Sequence, residues 1–396
     1  MTKDESMTKS ELRTRLRGRF SHGSSGTRFW SLICLAAWLA ACVACPAAEA
    51  TLKNAFKNDF RIGAALNRSQ FYQENSNVVA LIKAQFNTIT PENVLKWGLV
   101  HPSAAGFDFT AGDRYVEFGE QSQMWIVGHT LIWHNQTPNW VFQDEKGNRV
   151  DRDTLLKRMR EHILTVVGRY KGRIGGWDVV NEAVDEGGKL RKTPWLEIIG
   201  EEYLLHAYQF AHEADPKAQL YYNDYALENE AKRKGAMALI KKLQAGGIPI
   251  AAVGLQGHYK MDWPKPAEVE ATISDFASLG IKVNITELDV DVLPAANKYR
   301  GADINERAEH RVELDPYATG LPDEVQQKLA KRYSELFSVF VKHRDVITRV
   351  TFWGVTDGDS WLNDWPVRGR MSYPLLFDRQ GQPKPAFQAV IAAGRG

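Results

Sequence analysis

What most constrains this chain is an alternation. Eight short runs of strand-forming residues, all after residue 50, are separated by longer stretches of helical period. The runs are RIGAAL (61–66), FNTIT (86–90), MWIVGHT (124–130), RIGGWDVVN (173–181), AQLYYN (218–223), AAVGLQ (251–256), KVNIT (282–286) and TRVTFWG (348–354). Helices are predicted over 77–85, 113–123, 153–170, 195–213, 227–245, 267–279, 324–343 and 384–393, and Pro194 supplies a start signal for one of them. Strand–helix alternation implies a parallel sheet, and a count of eight implies a single α/β domain, a closed (β/α)8 TIM barrel over 51–396. A doubly wound open sheet would advertise a Gly-rich phosphate loop after its first strand, and RIGAAL is followed by none. The one long connection, 291–323, carries Pro294, Pro316 and Pro322 and reads as an ordered insertion on the functional face.

Residues 1–50 read as an address rather than as fold. Arg13, Arg15, Arg17, Arg19 and Arg28 form a basic region ahead of the apolar stretch FWSLICLAAWLAACVA (29–44). Its length is short of the about 20 residues that span a bilayer. It fits a signal peptide cleaved after Ala48-Glu49-Ala50, so export to the periplasm or the medium is expected. Leu39-Ala40-Ala41-Cys42 resembles a lipoprotein box and makes a lipid anchor at Cys42 the rival. Beyond residue 50 there are 43 Lys/Arg against 44 Asp/Glu and no cysteine. That balance gives no nucleic-acid or membrane footprint, and the missing thiols exclude a disulfide framework or a cysteine nucleophile there. No protein partner is expected, and the chain reads as a monomer.

Barrels of this kind place their chemistry at the C-terminal ends of the strands. The second run leads into Glu92, Asn93 and Lys96, the third into His129 and Trp133, and the fourth into Asn181 and Glu182. The fifth delivers Asn223 and Tyr225, the sixth Gln256 and His258, the seventh Glu287 and Asp289, the eighth Trp353 and Trp361. A lone histidine or glutamine at such a position is ordinarily a satisfied hydrogen-bonding residue. A polar and aromatic ring drawn from seven strands is not needed for stability alone. Two strand-terminal glutamates suit glycoside hydrolysis, in which one protonated carboxyl serves the leaving oxygen and one ionised carboxyl faces the oxocarbenium-like carbon.

The same stretches resemble the motifs of glycoside hydrolase family 10, mainly endo-β-1,4-xylanases. TPENVLKW (90–97), GHTLIWH (128–134), WDVVNEA (177–183), LYYNDY (220–225), GLQGHY (254–259), ITELDV (285–290) and TFWGVTDGDSW (351–361) occur in order across 55–393. The resemblance implies a retaining enzyme on xylan and xylo-oligosaccharides, with Glu182 as general acid/base and Glu287 as nucleophile about 5–5.5 Å apart. It implies that Asn181 holds the 2-hydroxyl and donates towards the nucleophile's region. His258 would bond Glu287, with Asp289 orienting the imidazole. Glu92, Asn93, Lys96, His129 and Trp133 would line the glycone side. Gln256, Trp353 and Trp361 would contact the reacting sugar, and Tyr225 would shape the leaving-group side. No cofactor or metal is called for: His129 and His134 lie five apart in a strand-and-loop segment, and no HExxH occurs. The readings weighed against this one are an endo-β-1,4-glucanase or mixed-specificity relative, and a non-catalytic carbohydrate-binding barrel.

Overall fold

The computed structural model describes residues 50–296, 304–305 and 307–395. The export segment, with Cys42, and part of the 291–323 insertion lie outside the described residues. Eight parallel strands close on themselves: β1 (Arg61–Leu66), β2 (Thr88–Pro91), β3 (Trp125–Ile132), β4 (Gly176–Asn181), β5 (Gln219–Asp224), β6 (Ile250–Leu255), β8 (Lys282–Asp291) and β9 (Ile347–Phe352). β6 pairs directly with β8, and β9 returns to β1, so the barrel has no open edge. A three-residue strand, β7 (His258–Lys260), adds to the far end of β8. The main helices are α1 (Ser76–Gln85), α2 (Thr110–Gln121), α3 (Arg152–Arg169), α4 (Glu202–Ala214), α5 (Glu230–Ala245), α6 (Pro266–Ala277), α7 (Asp323–Lys342) and α8 (Pro385–Ala393). The TIM barrel is therefore the architecture, as the alternation predicts.

Local chemistry fixes the boundaries. The Asn75 side chain accepts from the N–H groups of Asn77 and Val78 to start α1, and Asp151 accepts from Thr154 to start α3. The helix predicted over 195–213 is two helices. Pro194–Ile199 ends at Gly200, whose φ of +88° suits a residue without a Cβ, and α4 restarts two residues on. α5 begins at Glu230 rather than 227. The strand predicted over 282–286 runs on to Asp291, so Glu287 and Asp289 lie within β8 and not beyond it.

The register sets the layer on which the site is built. Asn181 lies opposite Asn223, Asn223 opposite Gly254, and Gly254 opposite Asn284 across β4, β5, β6 and β8. Gly254 is required there: a Cβ would lie 2.2 Å from the Asn223 side-chain oxygen. Irregularities interrupt β4 near Asp178–Val180 and β8 between Ile285 and Leu288. Such bulges re-aim side chains at barrel rims. Behind the strands, a continuous apolar core joins the barrel's outer face to the helices.

Candidate active site

A cleft of about 440 Å³ opens at the C-terminal end of the barrel. Every residue expected in contact with sugar lines it except Tyr225: Glu92, Asn93, Lys96, His129, Trp133, Asn181, Gln256, His258, Trp353 and Trp361, together with Glu182 and Glu287. Six of the seven strand ends thus meet at the cleft, and the fifth reaches it through the Asn223 bond to Glu287. Asp289 stands one layer behind, against the imidazole.

Glu182 follows β4 in the left-handed region, with φ of +58°. Its backbone N–H donates to the Asn223 carbonyl at 2.9 Å, and the Glu182 carbonyl accepts from Arg191 Nε at 3.2 Å. The turn is thereby held from both sides. The carboxyl accepts from Trp133 Nε1 (2.8 Å) on Oε2, and from Gln256 Nε2 (3.0 Å) and Asn181 Nδ2 (3.2 Å) on Oε1. Burial pushes this carboxyl above the usual carboxylate range, outweighing the bonds from Gln256 and Trp133 and the charge of Lys232.

Glu287 has a different setting. Burial would raise it too, but the His258 hydrogen bond, the electrostatic influence of His129 and His258 and the Asn223 bond together hold it below its ordinary range. Asn223 Nδ2 donates to Glu287 Oε1 at 2.7 Å, and His258 Nε2 donates to Oε2 at 3.2 Å. On the far side of the ring, His258 Nδ1 donates to Asp289 Oδ2 at 3.0 Å. Burial alone would lower the imidazole's pKa. The two flanking carboxylates prevail and push it up to about 10, so His258 is an imidazolium at neutral pH. Asp289 Oδ2 also accepts from Trp361 Nε1 at 2.8 Å, and Trp361 stacks on Trp365 with centroids 4.4 Å apart.

Lys96 is part of the cleft wall. Its ammonium donates to Asn93 Oδ1 at 3.1 Å and sits 5.0 Å from the Trp133 ring centroid. Burial lowers its pKa, while Glu287, Glu92 and Glu182 push in the other direction. His129 Nδ1 donates to buried Asp178 at 2.9 Å, which fixes the ring's orientation. The loop carrying Trp361 and Trp365 is stapled by the buried pair Lys384–Asp357, at 2.8 Å.

Two expectations need correction. Asn181 does not donate towards Glu287; its amide nitrogen faces Glu182, and the donor to Glu287 is Asn223, which also donates to Asn181 Oδ1 at 2.9 Å. Gln256 keeps its place in the cleft lining, where its amide donates to Glu182. Tyr225 does not face the cleft: its hydroxyl donates to Glu186 and accepts from Arg191, and Lys232 Nζ lies 3.3 Å from its ring centroid. It braces the Glu182 turn from behind. Residues missed as lining are Gln136, Ile304, Arg307, Asp364 and Trp365. Trp365, four residues beyond Trp361, was the one with a visible signal. Ile304 and Arg307 put the insertion at the cleft, on the functional face as expected. Among the described residues no group of three or more His, Cys, Asp or Glu side chains is placed to hold a metal ion.

Comparison with known proteins gives the same picture. The chain is 41% identical to endo-1,4-beta-xylanase A of Xylanibacter ruminicola, over 90% of this chain and 97% of that one. It is 43% identical to an endo-1,4-beta-xylanase of Geobacillus stearothermophilus, over 86% and 98% of the two chains. Among solved structures, a GH10 endoxylanase retrieved from a sugarcane soil metagenome superposes with a TM-score of 0.82 at 45% identity, covering 87% of this chain and 99% of that one. Xylanase XynB of Paenibacillus barcinonensis superposes with a TM-score of 0.78 at 38% identity, over 87% and 98%. The profile of glycosyl hydrolase family 10 matches residues 51–393, and with barrel, cleft and paired glutamates in place the chain belongs to that family.

Proposed function

We propose that this glycosyl hydrolase is an endo-β-1,4-xylanase that retains anomeric configuration, with Glu182 as acid/base and Glu287 as nucleophile. The observation that carries the assignment is the divergence of two buried carboxyls in one cleft, one pushed up and one held down. Glu287, kept anionic by His258 and Asn223, attacks the anomeric carbon of the glycone sugar. Glu182 gives its proton to the glycosidic oxygen as that bond breaks. The glycosyl ester on Glu287 is then opened by water, whose proton returns to Glu182. The endo-1,4-beta-xylanases among its relatives support the substrate class. Crowded side chains around the reacting sugar, Trp353 at 7% exposure and Trp361 against His258, suit a ring without a hydroxymethyl group.

Incubation with xylan and with carboxymethylcellulose, following reducing ends and product length, tests the reading. Xylan should yield mixed short oligosaccharides from the first minutes. Cellulose cleavage at a comparable rate would replace xylanase by glucanase. Export belongs to the same proposal, since xylan cannot enter a cell. If Cys42 is lipidated, globomycin should accumulate precursor. A mature protein beginning near Thr51 would instead fit signal-peptide cleavage.

A further inference from the structure

A lysine has no ordinary reason to stand where Lys232 does. It lies in the first turn of α5 and is fully buried. Burial strips the ammonium of its hydration, and the first turn of a helix presents the positive end of the helix dipole, so two penalties fall on one cation. Its counter-ion is Asp224, the last residue of β5, also fully buried, at 3.0 Å. A buried ion pair is weak evidence for stability, since apolar residues of the same volume often do as well or better. What the pair backs onto is the far side of the Glu182 turn.

Two links join Lys232 to Glu182. The first is mechanical. The segment after Glu182 folds back on itself, with the Arg191 N–H donating to the Ala183 carbonyl at 2.8 Å, and this brings Arg191 behind the turn. Lys232 Nζ lies over the face of Tyr225, whose hydroxyl accepts from Arg191 Nη2 at 2.8 Å, and Arg191 Nε in turn holds the Glu182 carbonyl. A cation on a desolvated ring binds it more firmly than one at the surface, so ring and guanidinium are fixed from the α5 side. The second link is electrostatic. Three acids stand around the ammonium: Asp224, Glu186 with an oxygen at 3.9 Å, and Glu228 within electrostatic reach. Glu182 itself is faced by Lys232 from α5, Asp224 and Tyr225 from the exit of β5, Glu287 from β8 and Lys96 from the cleft wall. Lys232 draws the Glu182 carboxyl down against burial, while Glu287 pushes it up. A group that must both give and regain a proton works best with a pKa near the working pH. Asp224 and Glu186 without a cation between them would make Glu182 hold its proton too tightly.

We propose that Lys232 is a positioning residue for the acid/base step: its buried ammonium offsets the acids behind the Glu182 turn and holds Tyr225 and Arg191 against that turn. The inference rests on the reading of Glu182 as acid/base. Its test therefore follows Glu182 directly as well as through turnover. The protein is made with glutamate isotopically labelled at Cδ, and the Glu182 carboxyl resonance is assigned by its loss in Glu182→Gln. Its titration midpoint is then measured by NMR in Lys232→Met, Asp224→Asn and the double variant, beside the alkaline limb of kcat/KM on an aryl xylobioside. Lys232→Met removes the cation and should raise the midpoint by about one pH unit. Asp224→Asn leaves the cation unopposed and should lower it. The double variant, which keeps the net charge, should fall between them. Should Lys232→Met alone fail to fold, because Asp224 is left buried without a partner, the step from Asp224→Asn to the double variant removes the same charge and should be upward. A merely structural pair would reduce kcat in these variants without the alternation of sign. A midpoint that stays at its wild-type value throughout, or that moves the same way in Lys232→Met and Asp224→Asn, overturns the inference, as does a downward or absent step to the double variant. Midpoints that alternate as expected while the alkaline limb stays put overturn only the assignment of Glu182 as acid/base.

Discussion

Asp289→Asn is the most informative single substitution, because Asp289 does not line the cleft yet should govern the charge of His258, the partner of the proposed nucleophile. The new side chain has the same shape and can still meet Trp361 and His258, but without charge. His258 has an ordinary pKa of 6.5 and is pushed up to about 10 in the fold. At about 1.36 kcal/mol per pH unit, that rise is about 5 kcal/mol of preference for the imidazolium, shared between Asp289 and Glu287. The sign follows from linkage. A histidine raised in the folded state stabilises fully below its unfolded pKa and loses that contribution as pH climbs to its folded value. Wild-type unfolding free energy should therefore fall by about 1.4 kcal/mol per pH unit between about pH 7 and pH 9.5 from this group. In Asp289→Asn most of that slope should vanish, because the imidazole titrates nearer neutrality in both states. Denaturant unfolding at half-unit pH steps, wild type against variant, reads the difference directly. Activity supplies the second reading. A charge-assisted hydrogen bond contributes about 1.5–3 kcal/mol, so kcat/KM at pH 7 should fall about 10- to 100-fold. Its acid limb should move up, since Glu287 loses a cation that lowers its pKa. Identical slopes in the two proteins would refute the imidazolium assignment.

Four further outcomes are expected. Glu287→Ala should fail on every substrate, whereas Glu182→Ala should still form the glycosyl-enzyme from an aryl xylobioside with an acidic phenol and be rescued by azide as the β-azide. General acid–base catalysis is typically worth about 10²–10⁴-fold, which makes that contrast easy to see; a β-azide from Glu287→Ala and none from Glu182→Ala would mean the roles are exchanged. Trp133→Phe removes a donor that lowers the Glu182 pKa, so the alkaline limb of kcat/KM should shift to higher pH, and a shift the other way would contradict the 2.8 Å bond. Gly254→Ala should displace Asn223 and cost more than tenfold in kcat/KM, with about 1–3 kcal/mol of overpacking; near-wild-type activity would show that the Asn223 bond to Glu287 is dispensable. Proton NMR of the first products should show the β-anomer.

How legible was this site in the sequence? The strands and their ends were, because a buried parallel strand needs a continuous apolar run and a polar residue at its finish stands out. Glu182, Glu287 and His258 could be named for that reason, and Trp361, on the loop beyond the last strand, through the TFWGVTDGDSW motif. The direction of each amide could not. Asn181 and Asn223 are both strand-terminal asparagines, and only the β4–β5 register and the space left at Gly254 decide that Asn223 reaches Glu287. Tyr225 failed in the same way: its position at a strand end was read correctly, but Arg191 and Glu186 come from a loop whose path carries no periodic signal. Ile304 and Arg307 sit in the insertion, where charge and proline give composition without a fold. Gly200 breaks a helix whose apolar spacing runs on unbroken, since periodicity reports a buried face and not the backbone that joins two of them.

The left-handed backbone at Glu182 carries a consequence for anyone who selects this protein for robustness. A side chain at φ of +58° is held in a sparsely populated region, typically at a cost of about 1–3 kcal/mol. Glycine adopts that region freely, so Glu182→Gly should outlast Glu182→Ala on heating, and could outlast the wild type once a buried carboxyl is gone as well. A library screened for thermal survival alone would then enrich the loss of the proposed proton donor. Position 182 is where durability and catalysis pull apart, and it should be held fixed in any such campaign.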